Sequence, residues 1–318
     1  MLRLGLIDKN GERVETEYPT SFVINREAGA ADDLTLYLPS KLDKPYCGVE
    51  LENDGVREFT GIIDEQSYAC TAMGESTMIY ARSLAGVLLD NEAQPCDYKN
   101  ADAQLIAMKY CAPLGIDTLD LSGGACADLQ VYKGCSHWQV ITSFCTAASI
   151  AQPYVDECGC LHIGDEGEGL EELYFSNSDG IEYTSAEINL RRCKLISSVR
   201  EKAQGQTEYN IEYTDALAES LGVERRRYVD AEAVGKGYAE GLIAKGKNDA
   251  ALLRIKSPRF LHCPLNSPVR LELHGGEIIS GSCTRVRLSL GSRGWETTLT
   301  VSGDIEQTVK LIGGTLCG

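Results

Sequence analysis

The sequence predicts an α+β chain, mainly β, built as two similar small β-barrel domains with a mixed α+β domain between them. Three observations carry this expectation. Short apolar/polar alternations recur at regular spacing near both ends, the period turns helical around residues 100–148, and residues 49–83 match residues 269–303 without a gap. The expected domains are 1–95, 96–185 and 186–318, the last with a helix near 231–247. A chain of 318 residues has room for such an arrangement.

In the first domain the runs Leu34-Thr-Leu-Tyr-Leu38, Val49-Glu-Leu-Glu52, Phe59-Thr-Gly-Ile-Ile63 and Met78-Ile-Tyr-Ala81 read as antiparallel strands of a small barrel or sandwich. Asn53-Asp-Gly55 marks a hairpin turn, because Asp-Gly tolerates the positive φ such turns require. In the middle domain, Leu105, Ile106, Met108 and Ala112 form one face of a short helix over 100–113, with Asp102 as N-cap. A second helix starts at Ser136 and carries Trp138, Ile141, Cys145 and Ala148 on one side. Tyr154-Val155 and Leu161-His-Ile163 read as strands. In the last domain strands are expected at Leu195-Ile196 and Tyr209–Tyr213. The helix over 231–247 follows, with Val234, Tyr238 and Leu242 on one side and Gly235, Gly237, Gly241 and Gly246 weakening it by up to ~1 kcal/mol each. Strands at 251–255, 269–273, 284–290 and 297–301 close the chain.

The internal match, at an offset of 220, holds seven identities in 35 positions: Val49, Leu51, Glu52, Gly55, Gly61, Gly74 and Thr77 recur as Val269, Leu271, Glu272, Gly275, Gly281, Gly294 and Thr297. Average residue usage gives roughly two. The glycines Gly55, Gly61, Gly74, Gly275, Gly281 and Gly294 sit where turns or bulges would need them. The plain alternative is that any two hairpins share apolar alternation and turn glycines; the sharper reading is two barrels of one fold, expected to overlay with Gly61 on Gly281 and Gly74 on Gly294.

Composition narrows the function. A formal charge of −17 opposes a grip on nucleic acid, which needs clustered cations to release phosphate counterions. The plainest use of such charge is solubility. The N-terminal apolar run is broken by Arg3, Asp8 and Lys9 before a signal core forms, and no apolar run reaches the ~20 residues of a membrane span. The thirteen cysteines match neither a zinc ribbon nor a disulfide scaffold and read as reduced, mostly buried small residues.

Cys158, Cys160 and His162 alternate on an expected strand, which would point all three to one face, and thiolate with imidazole suits zinc. No fourth ligand is evident nearby, and apolar strand faces commonly hold cysteines, so no metal is expected. His137, His162, His262 and His274 could pair with a cysteine as nucleophile and base, and Asp64, Glu65 and Asp90 could supply a glycosidase carboxylate pair. No nucleophile elbow or zinc-protease motif accompanies them, so neither catalysis nor a cofactor is expected. Gly164-Asp-Glu-Gly-Glu-Gly169 is too acidic to cradle phosphate. Arg225-Arg-Arg227 is the dense basic cluster, a solvated face or a pairing site for an acidic neighbouring subunit.

Phe59-Thr-Gly61, then Ile79-Tyr-Ala-Arg-Ser-Leu-Ala-Gly-Val-Leu-Leu-Asp90, then Gly115, Gly134-Cys-Ser-His-Trp138, Gly159-Cys-Leu161 and a closing Leu288–Leu299 hairpin follow in an order that resembles the baseplate hub family of contractile-tailed phages, the Mu-type hub with its prophage and bacteriocin relatives. The likeness spans about residues 45–305. It implies two tube-type barrels per subunit and a homotrimeric ring that adapts a sixfold tail tube to a threefold central spike. The implied partners are a second and third copy, the tail tube protein, the spike and a tape-measure protein, with DNA passing through the lumen unbound and no membrane involved. The implied location is the baseplate of a virion tail or tail-like particle, assembled in the bacterial cytoplasm. The high cysteine count departs from the family. The rivals are a peptidoglycan hydrolase or Cys-dependent enzyme of the tail and a receptor- or carbohydrate-binding tail module. The latter would expose an aromatic patch, whereas both tryptophans lie in stretches read as core or hairpin.

Overall fold

The structure, a computed structural model, describes residues 2–16, 18–27, 31–72, 74–119, 126–163, 170–203, 205–230 and 238–313. It is mostly β, 47% strand and 20% helix, with large antiparallel sheets. Two compact units emerge: Met1–Gly169 with Arg259–Leu265 and Arg285–Thr297, and Leu170–Pro258 with Asn266–Thr284 and Thr298–Gly318.

The first unit opens with strands β1 (Leu2–Ile7), β2 (Arg13–Thr16), β3 (Ser21–Glu27), β4 (Asp33–Leu38), β5 (Gly48–Asn53), β6 (Val56–Thr71) and β7 (Gly74–Ser83). Alternation sets their faces. In β3 and β4, Phe22, Ile24, Leu34, Leu36 and Leu38 are buried while their neighbours along the strand are less so. Asp54 and Gly55 both take positive φ, 52° and 84°, which closes the β5–β6 hairpin on two residues as the sequence predicts.

Strand β6 carries two bulges. Leu51 pairs Phe59 and Glu52 pairs Arg57, leaving Glu58 without an opposite residue; Ile63 pairs Ala81 and Glu65 pairs Tyr80, leaving Asp64 so. The first bulge turns two consecutive side chains, Glu58 and Phe59, inward.

After β7 come α1 (Ala85–Asp90), β8 (Cys96–Asp102), α2 (Ala103–Tyr110), β9 (Thr118–Leu119), β10 (Cys126–Val131), α3 (His137–Ala148), β11 (Tyr154–Val155) and β12 (Leu161–His162). Asp102 caps α2, and Ser136 with Gln139 forms a full capping box on α3. Helices α2 and α3 bury Ile106, Tyr110, Ile141 and Phe144 in one cluster with Leu129 and Val131 of β10. The face expected on α2 is rotated. Its buried residues are Ala103, Ile106, Ala107 and Tyr110, and Met108 is 60% exposed. Two alanines and a tyrosine make the stripe, and hydrophobicity alone ranks them below Leu105 and Met108.

The second unit contains β13 (Leu173–Phe175), β14 (Ser185–Leu190), β15 (Ser198–Lys202), β16 (Ile211–Thr214), α4 (Ala216–Ser220), β17 (Arg226–Asp230), α5 (Tyr238–Ala250), β18 (Ala251–Ser257) and β19 (Pro268–Glu272). Strands β20 (Ile278–Gly291) and β21 (Gly294–Gly303) and helix α6 (Ile305–Leu311) complete it. Residues 285–297 of the β20–β21 hairpin belong to the first unit, where Arg285–Leu290 pair with β3. The helix expected over 231–247 is present as α5. Residues 231–237, with Val234, Gly235 and Gly237, lie outside the described residues. Gly246 is there for contact, since a Cβ on it would stand 2.9 Å from the Lys194 carbonyl oxygen. Where a strand was expected at Leu195-Ile196, both residues are buried just ahead of β15.

The segments at offset 220 share backbone pairing. Val49 faces Gly61 and Leu51 faces Phe59 across β5–β6; Val269 faces Gly281 and Leu271 faces Ile279 across β19–β20. Strands β7 and β21 cover equivalent residues, and α1 and α6 start at equivalent positions. A Cβ built on Gly61 would stand 2.2 Å from the Arg82 carbonyl oxygen, and one on Gly281 2.2 Å from that of Ser302, again 220 residues on. Thr77 donates to the Ser40 carbonyl at 2.8 Å, and Thr297 to the Arg259 carbonyl at 2.7 Å. Gly74 and Gly294 both have positive φ, but in the first turn of each segment Gly55 is matched by Gly276, one residue past Gly275.

Backbone cannot yield as a flexible side chain can. Gly61→Ala and Gly281→Ala are each expected to destabilise by about 1–3 kcal/mol or more, against ~1 kcal/mol for Gly55→Ala, whose Cβ meets nothing within 4 Å and whose cost is φ strain alone. Urea unfolding of the three variants measures this order.

Candidate functional site: a buried charge cluster

In the first unit, β3 places Arg26 on the same inward face as Phe22 and Ile24, and its side chain is 1% exposed. A guanidinium so placed needs anions around it. The Glu58 bulge supplies the first: Arg26 Nη2 donates to the Glu58 backbone carbonyl and, at 3.1 Å, to Glu58 Oε2. Glu157, on the turn before β12, stands 3.4 Å from Nη1, and Asp32, just ahead of β4, stands 3.9 Å from Nε. Neither of those nitrogens makes a hydrogen bond. The other oxygen of Glu58 meets His262 Nδ1 at 3.2 Å, across 204 residues of sequence.

His262 belongs to the segment Arg259–Leu265, which is fixed by more than this contact. Leu261 N–H donates to Thr297 Oγ1 at 3.1 Å, and the ring of Phe260 meets Trp295 edge-on at 5.0 Å, with Phe22 on Trp295 at 5.7 Å. The cluster therefore ties this late segment to β3 and β6.

Two of its groups are shifted upward. Burial pushes the Asp32 carboxyl up to about 7, against the opposing pull of Arg26. The hydrogen bond to Glu58 raises His262 above its ordinary value, more than burial lowers it. With both protonated, two cations meet two carboxylates; with both deprotonated, one guanidinium faces three.

The sequence-picked candidates fall elsewhere. Cys158, Cys160 and His162 do not share a strand face. Cys158 lies in the turn Asp156–Gly159, where Gly159 has φ +87° and Asp156 Oδ1 accepts from the N–H of Cys158 at 2.9 Å and of Cys160 at 2.8 Å. Asp156 Oδ2 meets His162 Nε2 at 3.1 Å, and Tyr154 stacks on that ring at 4.5 Å. Burial and Asp156 raise both thiols, the wrong direction for a nucleophile. Among the described residues no group of three His, Cys, Asp or Glu side chains is placed to hold a metal ion.

Asp64 and Asp90 are gripped by one guanidinium, Arg82, at 2.5 and 2.6 Å, which holds the Asp90 carboxyl below its usual range, whereas a general acid needs a raised one. Glu65 is exposed. His137 Nδ1 meets the Tyr110 carbonyl at 3.1 Å, and the His274 ring lies tilted by Tyr183. Residues 164–169 lie outside the described residues. In the second unit a groove with a cavity volume of about 590 Å³ is lined by Asn248, Asp249, Ser280, Ser282, Thr284 and their neighbours, none of them Cys or His. No helix among the described residues is long and apolar enough to cross a membrane.

No protein-family model matches the chain, and no curated protein does. Solved structures do. A tail protein from Neisseria meningitidis MC58 superposes with a TM-score of 0.73 at 17% identity, covering 96% of this chain and 98% of its own. The 43 kDa tail protein of prophage MuSo2 from Shewanella oneidensis gives 0.71 at 15% identity, covering 94% and 98%. A chain of the Francisella PdpA–VgrG complex gives 0.54 at 9% identity over 96% of this chain and 52% of that one. The fold is thus that of phage tail proteins.

The pH response of the cluster has a definite sign. Asp32 and His262 are both raised by folding, so each stabilises most below its unfolded value and less as pH rises through its folded one. Asp32 acts between about 4 and 7, and His262 from 6.5 upward. Thermal unfolding midpoints of the wild type are expected to lose ground against those of Asp32→Asn with His262→Gln as pH rises from about 4 to 7, and further above 6.5. Glu58→Ala, which strands Arg26, is expected to cost about 3–5 kcal/mol.

Proposed function

We propose that this chain is a structural subunit of a phage or phage-like tail, a baseplate hub that assembles as a homotrimeric ring between a sixfold tail tube and a threefold central spike. The observation that carries the reading is the repeated hairpin unit, with Gly61 against Arg82 and Gly281 against Ser302 at one constant offset. Two such units, each the seed of a tube-type barrel, let three subunits present six similar surfaces to a sixfold tube. End-to-end likeness to two tail proteins supports the placement, and likeness to a chain of a VgrG complex supports a spike as neighbour.

The role is mechanical and not enzymatic. The Cys158 and Cys160 thiols are shifted away from reactivity, and two of the three candidate carboxylates, Asp64 and Asp90, are locked to Arg82. The formal charge of −17 suits a ring through which DNA and a tape-measure protein pass without adsorbing.

Light scattering on purified protein is expected to give three times the chain mass, and electron microscopy of the assembly a ring with six similar lobes. A monomer at micromolar concentration, with and without the spike, overturns the reading. Zymography on purified peptidoglycan is expected to show no clearing.

A further inference from the structure

In the second unit the basic run Arg225-Arg-Arg227 is joined by another, Arg191-Arg-Cys-Lys194. Arg225 makes the join. Its guanidinium donates to the carbonyls of Cys193 and, at 3.0 Å, Leu195, and its backbone shares three 2.9 Å hydrogen bonds with Ser197. Strand β17 then runs parallel to β15, with Ser198 opposite Arg226 and Val199 opposite Arg227. One arginine is consumed as a clamp. Arg191, Arg192, Lys194, Arg226 and Arg227 are left exposed, with no ion pair or side-chain hydrogen bond to any described residue. Helix α5 packs Gly246 on the Lys194 carbonyl and so brings exposed Lys245 alongside. Neither run contains an acidic residue, and Glu224 flanks Arg225.

Arg226 and Tyr228 share one face of β17, and Tyr228, 59% exposed, meets Tyr209 edge-on at 5.3 Å. Arginine and tyrosine together are the residues most enriched where proteins meet. The cations stand on a chain of formal charge −17, whose copies repel one another at long range. Identical acidic subunits approach most favourably where positive charge has been segregated into one patch that meets an acidic face of the next copy.

We propose that this patch, gathered by the Arg225 clamp, is a subunit contact that receives an acidic surface of a second copy of the chain. The assignment rests on the ring reading above. Phosphate backbones suit the patch less, because the remainder of the chain repels them.

The test compares the wild type with Arg192→Glu/Arg226→Glu/Arg227→Glu and with the milder triple change to Gln, by sedimentation and light scattering at low and high salt. The substituted side chains are exposed, and thermal unfolding checks that the variants fold. Expected are a wild-type trimer that weakens as salt rises, association weakened on the order of a hundredfold by the Glu variant, and an intermediate loss in the Gln variant. A Glu variant that assembles like the wild type overturns this contact and leaves the ring reading intact. A wild type that stays monomeric at both salts overturns both. Binding of labelled duplex DNA that the Glu variant loses, with its trimer unchanged, makes nucleic acid the occupant and also overturns the contact.

Discussion

The contact on which the β architecture depends is an approach of two neighbouring, paired strands too close for any side chain. At Gly61 the chain passes so near the Arg82 carbonyl that a Cβ would stand 2.2 Å away, and at Gly281 it passes Ser302 in the same way. Such proximity fixes how sharply β6 and β20 coil over their neighbours. What lies beyond each close approach differs. Past the first, Arg82 reaches both Asp64, at the second bulge of β6, and Asp90, at the end of α1. Past the second, Ser302 donates to the Asn248 carbonyl at 2.9 Å and Asp304 caps α6. One backbone geometry is thus served by two unrelated sets of side chains.

The first segment alone carries the Glu58 bulge. In the second, Leu271–Ile279 is followed by Glu272–Ile278 with no shift of register, and the residue equivalent to Glu58, Ile278, is 48% exposed. The extra residue is what aims a carboxylate into the interior. It gives buried Arg26 its nearest carboxylate, and through Glu58 the segment carrying His262 is held as well. An apolar residue at position 26 would avoid the desolvation of a guanidinium. What the charged arrangement adds is selectivity: His262, Glu157 and Asp32 each have one suitable partner, so this late segment is held in one place rather than by general apolar contact.

Much of this frame is legible in the residues. Strand alternation, the Asp54-Gly55 turn, the Ser136 cap and the 220-residue offset depend on local rules that need no tertiary knowledge. The cluster is not legible, because Phe22-Val-Ile-Asn-Arg26 reads as a strand with a polar end, and only the distant bulge shows that Arg26 points inward. Cys158 was misplaced for a related reason. Alternation of Cys158, Cys160 and His162 is real in sequence, but Asp156 gathers the intervening N–H groups into a turn and breaks the strand geometry that alternation assumes. The rotated face of α2 shows how small residues and a tyrosine can outweigh Leu105 and Met108 when β8 and β10 lie close.

The distribution of cations separates the two units. In the first, Arg13, Arg26, Arg57 and Arg82 are each spent on carboxylates of their own unit, every one of them bridging at least two acids, so local order is stabilised and their charge is locally neutralised. In the second, Arg225 is spent on backbone carbonyls, which consumes a donor without neutralising a charge, and the cations around it stay unpaired. Pairing an arginine with carbonyls rather than carboxylates keeps its charge in the field. A chain with 47 acidic and 30 basic residues has few cations to place. Those four arginines of the first unit hold its own strands in register; in the second Arg200, Lys202, Lys247 and Arg270 are paired likewise, and the exposed cations beside Arg225 are left to act on whatever approaches.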